Sequence, residues 1–335
     1  MRFVSASVTL TWLIAAASAS AEYRILTRYE IGGEGGYDYL RVDPAARRLY
    51  VSHGAQVEVL DVDSGRRVGH VAPTKGVHGI AIAPDLGRGY TSNGGDRTAT
   101  MFDTATLATL ADIGPTGVKP DVIAYDATTK RVYVCNGSPE SGDISVIDAA
   151  AGKITGSIPV GGKLEELALD GAGKLFVNVE DKNLLAVVDL ATGKVTARWP
   201  IAPGEEATGL AFDAKNHRLF LGCSNKLLVV LDANDGRVVA TLPIGDGCDG
   251  VAFDPTTRRI FASCGEGVLT IIQEETPDKF SVRQNLKTEL GARTIALDEK
   301  THRVFMAVAK WAPPAPGKKR GAIIPGSFAV VVVGE

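Results

Sequence analysis

Residues 123–137, Ile123 to Gly137, read IAYDATTKRVYVCNG. An apolar run ends in an aspartate, four turn residues follow, and a basic residue opens a second apolar-aromatic run, which is the outline of a β-hairpin. The phrase recurs as Leu40–Tyr50, Ile80–Tyr90, Leu167–Phe176, Leu210–Phe220, Val251–Phe261 and Ile295–Phe305. The aspartate position falls at Asp43, Ala83, Asp126, Asp170, Asp213, Asp254 and Asp298, with spacings of 40, 43, 44, 43, 41 and 44 residues. Repeats of this length mean propeller blades or a solenoid. Each unit consists of short β-branched runs between turn residues, with no amphipathic helical period. That excludes helical solenoids and predicts four strands per unit.

A second phrase, Asp-x-x-x-Gly, ends the third strand at Asp61–Gly65, Asp148–Gly152, Asp189–Gly193 and Asp232–Gly236. The second unit keeps Asp103 but has Leu107 for the glycine, and the sixth has Gln273 and a longer turn, Glu274–Lys279. The last unit supplies Ile295–Leu297, Val304–Val308 and Phe328–Val333, one strand short, while Tyr23–Ile31 is a surplus strand at the other end. Joining the two removes both exposed edges. The fold read from these features is all-β, a seven-bladed β-propeller with four antiparallel strands per blade, its last blade closed by the N-terminal strand.

The same segments carry a family resemblance. Leu49-Tyr-Val-Ser-His-Gly54, Gly89-Tyr-Thr-Ser-Asn-Gly94 and Val132-Tyr-Val-Cys-Asn-Gly137 resemble the Tyr-Val-Thr-Asn signature of the YVTN, or YncE-like, propellers. The resemblance spans the chain after the leader and implies an exported propeller. It names no ligand, and the later repeats, such as Leu219–Cys223 and Val304–Val308, lack the Thr-Asn part.

The first residues read as a secretory signal: Arg2, an uncharged apolar run from Val8 to Ala17, and the small-x-small site Ala19-Ser20-Ala21. Residues 1–21 are therefore expected to be a signal peptide and 22–335 one propeller domain, periplasmic or secreted. No later apolar run approaches spanning length. The net charge of −3 over 335 residues excludes a basic, nucleic-acid-binding surface. Hydrophobic content of 45% allows a large core, and a monomer is expected. Cys135, Cys223, Cys248 and Cys264 show no metal or haem spacing. Cys248 and Cys264 fall on adjacent strands of one blade, so a disulfide between them is expected, with Cys223 as competitor.

In a propeller the first strand of each blade lines the central channel, and the loops leading into it form the top face. Five residues before each anchor position stand Asp38, His78, Asp121, Glu165, Thr208, Asp249 and Arg293. Core positions repeat a residue type and these do not, which is how a site grafted on a symmetric scaffold reads; the alternative is a solvated, variable ring. Their expected neighbours, from the loops between second and third strands, are His53, Asn93, Asn136, Cys223 and Cys264. Arg41 stands where the other blades have alanine, and Asp38 or another ring carboxylate is its expected partner. The loop Lys310–Ser327, with Trp311 and Lys318-Lys319-Arg320, is long enough for a lid over the acidic ring.

Other polar residues repeat too regularly to be a site. The Asp-to-basic pairs Asp43/Arg48, Asp126/Arg131, Asp213/Arg218, Asp254/Arg259 and Asp298/Arg303 are expected to clip hairpins. His217 and His302 occupy bottom-face turns, aligned with Thr257 and Thr129.

The leading functional reading is a non-enzymatic exported propeller binding a small molecule or protein through its top face, at Asp38, His53, His78, Asp121, Asn136, Glu165, Asp249 and Arg293. No cofactor is expected, although His53, His78 and Asp121 have the chemistry for a single divalent metal. The alternative is a lactonase- or lyase-like enzyme, with His78 as base, Asp121 positioning it and Arg293 stabilising negative charge. A third reading is a structural envelope protein with no discrete site. The sequence carries no catalytic motif, and the balance falls against catalysis.

Overall fold

The computed structural model describes residues 22–314, 317 and 321–335. The expected leader, with Arg2, Val8–Ala17 and Ala19-Ser20-Ala21, lies outside the described residues, as do Lys318, Lys319 and Arg320. Among the described residues no helix is long and apolar enough to cross a membrane.

The described chain forms seven four-stranded antiparallel sheets, the blades of a β-propeller. Blade three is representative, with strands Pro120–Asp126, Arg131–Asn136, Asp143–Asp148 and Lys153–Pro159. Blade seven contains Arg293–Asp298, Arg303–Val308 and Ala329–Gly334 and takes Arg24–Glu30 as its outermost strand, Arg24 opposite Gly334 and Glu30 opposite Ala329. The surplus strand thus closes the ring, as the repeat count predicts. Blade six departs from expectation. Its third strand runs on through Glu274 to Thr276 and its fourth begins at Lys279, so the supposed long turn is a strand extension.

The repeated aromatics are the core. Tyr50, Tyr90, Tyr133, Phe176, Phe220, Phe261 and Phe305 are all essentially fully buried. They join blades: Tyr50 packs 5.9 Å from Phe102 of blade two, and the Tyr90 hydroxyl donates to the Ala149 carbonyl of blade three. Burying one such ring contributes about 2–3 kcal/mol.

At the bottom face the anchor aspartates cap turns rather than pair with the basic residue five positions on. Asp43 Oδ1 accepts the Ala45 and Ala46 N–H groups at 3.0 and 2.9 Å, and Asp254 and Asp298 do the same in their own turns. The basic residues reach outward instead: Arg48 to the Thr104 carbonyl, Arg218 to Asp232 and Asp278, and Arg259 to Glu335. His217 and His302 align one residue later than the sequence suggested. They hold the left-handed turn position shared with Arg47, Lys130 and Arg258, at φ of 54–57° overall and 54 and 57° for the two histidines. From that position His302 Nδ1 meets Asp254 of blade six at 2.7 Å, and Arg47 meets Asp298 of blade seven at 2.9 Å. These are clips between blades.

Candidate functional site

In every blade the ladder between first and second strands breaks its register at the start of the first strand: between Tyr37 and Leu40, Val77 and Ile80, Pro120 and Ile123, and at the equivalent points of the other four. A bulge re-aims the side chain it carries; in blades one to six the residue five before the anchor lies within it, whereas in blade seven Arg293 pairs with Ala307 and the shift follows it. The ring is pinned from blade to blade. Thr294 Oγ1 donates to the Asp38 carbonyl at 2.9 Å, Ser92 to the Asp121 carbonyl, and Thr208 to the Cys248 carbonyl at 2.6 Å. Glycine is required beside it at Gly79 and Gly209, where a Cβ would stand 2.8 Å from the Asp121 carbonyl and the Val251 nitrogen of the next blade.

So positioned, Asp38, His78 and Asp121 of blades one to three converge. His78 Nδ1 lies 2.6 Å from Asp38 Oδ2 and 3.8 Å from Asp121 Oδ1, and the three donor atoms fall within 4.8 Å of one another. The pairing differs from the expected one, since Asp38 and not Asp121 orients the imidazole. The hydrogen bond to Asp38 holds the His78 pKa above its ordinary value, with Asp121 adding to the effect against burial. Burial and the Asp38 charge push the Asp121 carboxyl up to about 7, eased by His78.

The rest of the ring is a run of ion pairs. Arg293 Nη1 donates to Asp249 Oδ2, and the Arg293 guanidinium stands 5.8 Å over the Tyr37 ring. Glu165 lies 2.8 Å from Lys163 Nζ, which also meets Glu180. Burial and Asp121 drive the Glu165 carboxyl upward against that lysine.

Below the ring a channel cavity of about 420 Å³ is lined by Tyr39, Arg41 and Glu166 among apolar first-strand residues. Arg41 is exposed to this space rather than buried, and it forms no ion pair with any described residue. Burial pushes the Glu166 carboxyl up to about 8, countered by the Leu167 N–H and then by Arg41. Burial likewise drives the Tyr39 phenol well up, with Glu166 and Asp121 adding to it. Sequence reasoning missed Lys163, Glu166 and Tyr39. The signal was present for two of them: at their position the other blades carry Gly79, Val122, Gly209, Gly250 and Thr294.

The expected second tier of the site is core instead. His53, Asn93, Asn136, Cys223 and Cys264 are all buried. As the last residues of their second strands they point into the sheet packing, where Asn136 Nδ2 donates to Asp143 and Ser145 at 3.1 and 3.0 Å. His53 stacks on Phe328 at 4.3 Å with Nδ1 3.9 Å from Glu58 Oε1. It lines a separate cavity of about 340 Å³ with Gly33, Gln56 and Arg67, so the metal-type group contains Asp38 in its place. Cys248 sits directly opposite Cys264 in the ladder, and all four cysteines are free thiols. The long loop Lys310–Ser327 starts as a small hairpin, with Trp311 bridged to Ile323 and packed 6.4 Å from Tyr37, bordering the ring beside blade seven.

No protein-family model matches the chain, and no curated protein matches it. Many solved chains do, among them one described as Kuenenia stuttgartiensis hydrazine synthase, with a TM-score of 0.70 and 17% identity over 88% of this chain and 96% of that one. At that identity the likeness carries the propeller fold and nothing of the site.

Proposed function

We propose that this chain is an exported YVTN-type propeller that binds its ligand through the top face, with Asp38, His78 and Asp121 as the anchor for a divalent cation. The observation that supports it is the convergence of one imidazole and two carboxylates from three successive blades within 4.8 Å. An ion about 2.1 Å from each of three donors needs donor separations of about 3–4 Å, so rotation of the side chains closes the set. Imidazole with carboxylate suits zinc or a similar borderline ion. The export reading rests on the leader-like residues 1–21 and on the Tyr-Val-Thr-Asn phrase. In an oxidising envelope it also predicts a Cys248–Cys264 disulfide, read as an intact mass two hydrogens lighter that thiol reductant restores.

Thermal unfolding of the protein with zinc, manganese, calcium or magnesium tests the anchor. A rise in Tm with one of these ions that disappears in both Asp121→Asn and His78→Gln supports it; no rise with any, or a rise untouched by both substitutions, ends it.

The 2.6 Å Asp38–His78 contact favours a second reading, in which a carboxylate orients His78 as general base for a lactonase- or lyase-like reaction and Arg293 stabilises negative charge. Turnover of a lactone panel that survives His78→Ala removes that reading.

A further inference from the structure

A cavity of about 770 Å³ opens beside the ring between blades five, six and seven, and it does not involve Asp38, His78 or Asp121. One side of it is apolar, formed by Tyr37, Leu290, Trp311, Pro313 and Pro314. Leu290 is 73% exposed at the rim, the most exposed large hydrophobic residue among the described residues. At the inner end stand Arg293 and Asp249.

The polar end has a definite hydrogen-bonding character. Arg293 gives Nη1 to Asp249 Oδ2, while its Nε–H is buried with no acceptor. Asp249 is a carboxylate and can only accept. Arg293 and Asp249 both line the cavity and each side chain is 25% exposed, so the cavity offers a guanidinium donor and a carboxylate acceptor on two groups whose charges already offset each other. The other acidic groups at its edge are engaged as well: Asp246 lies 3.5 Å from Lys226, and Glu266 Oε1 accepts the Asp246 N–H at 2.9 Å.

A group that both donates and accepts, and carries no charge, matches this end. A hydroxyl does so. A carboxylate would stand among Asp246, Asp249 and Glu266, and an ammonium would stand against Arg293. The apolar side, with tryptophan, tyrosine and two prolines, suits a flat ring.

We propose that this cavity binds a neutral phenol-type compound, its ring against Trp311 and the paired prolines. Its hydroxyl donates to Asp249 and accepts from the exposed part of the Arg293 guanidinium. The proposal is independent of the cation anchor, so either can fail without the other.

Calorimetric titration of the full chain with p-cresol, 4-methylanisole, benzoate and benzylamine tests it. Saturable binding is expected for p-cresol, with 4-methylanisole, which has no proton to donate, weaker by about tenfold or more. Leu290→Asp at the rim disturbs no buried group and is expected to weaken p-cresol binding, as is Arg293→Lys in protein whose Tm is unchanged. Equal binding of 4-methylanisole would remove the hydroxyl from the account. Tighter binding of benzoate would make this an anion site, and of benzylamine an organic-cation site. Any of those results, or the lack of saturable binding by p-cresol, overturns the proposal.

Discussion

At the bottom of the propeller Asp43, Asp254 and Asp298 each accept backbone N–H groups of their own turn, and from the neighbouring blade Asp254 meets the His302 ring and Asp298 the Arg47 guanidinium. At the top, Asp38, Asp121, Glu165 and Asp249 occupy equivalent positions of their blades, yet their partners vary: Asp38 and Asp121 share His78, Glu165 takes Lys163 and Asp249 takes Arg293. The electrostatics run in opposite directions. Asp298 is fully buried, and although burial works against it, Arg47 and the Thr301 hydroxyl hold its carboxyl below the ordinary range. Asp121 and Glu165 are pushed above it, by burial first and then by a neighbouring carboxylate, Asp38 for Asp121 and Asp121 for Glu165. Asp298 stabilises the fold by being ionised, whereas Asp121 and Glu165 are ionised at a cost that a nearby bound cation would relieve. On the proposed reading one ring is scaffold and the other is site.

The largest expected effect lies on the scaffold side. Asp298→Ala leaves Arg47 without its buried partner and the turn without its cap, and is expected to lose about 3 kcal/mol in urea unfolding. A midpoint equal to that of the unsubstituted protein would break the distinction between the two rings. Next comes the cation itself. At a hundred times its dissociation constant it should add about 2.7 kcal/mol, while Asp121→Asn, without the ion, should be no less stable than the parent. An Asp121→Asn protein destabilised as much as Asp298→Ala would make the top ring scaffold too.

A pH dependence sharpens the comparison inside the channel. The Glu166 pKa lies at about 8, above the ordinary 4.5, so its protonated form is the one the fold favours. The stability it contributes is fully present below about pH 4.5 and is lost as pH rises through about 8. Glu166→Gln should therefore gain on the parent progressively between those values and hold a constant lead above them. Parallel stability curves for the two proteins would mean that the channel does not shift this carboxyl.

Much of this was legible in one dimension. The phrase around Asp126 recurs because each blade needs the same hairpin, so its spacing counts the blades and its missing last strand points to Tyr23–Ile31 as the closure. The ring position was legible for the same reason: against six alanines or a run of repeated aromatics, Asp38, His78, Asp121, Glu165, Thr208, Asp249 and Arg293 are visibly not repeats. His53 was misplaced because periodicity gives a residue's position along a strand but not the side on which it emerges. The pleat at the end of the second strand turns it onto Phe328. Lys163 escaped because it lies two residues before Glu165, in a loop where no repeat fixes the alignment.

By itself, the sequence determined the architecture and the list of side chains delivered to the channel mouth, because both follow from a period that any folded copy of the repeat must obey. Only the tertiary structure decided the pairings: His78 with Asp38 across two blades, Arg293 with Asp249, Arg41 left facing the channel. Those partners lie about forty residues apart along the chain, and what brings them within a few ångströms is the closing of the ring and the bulge at each first strand. Neither the direction of a bulged side chain nor the choice between two neighbouring carboxylates is carried by spacing. Both are settled by local sterics and by which charge stands nearest in space.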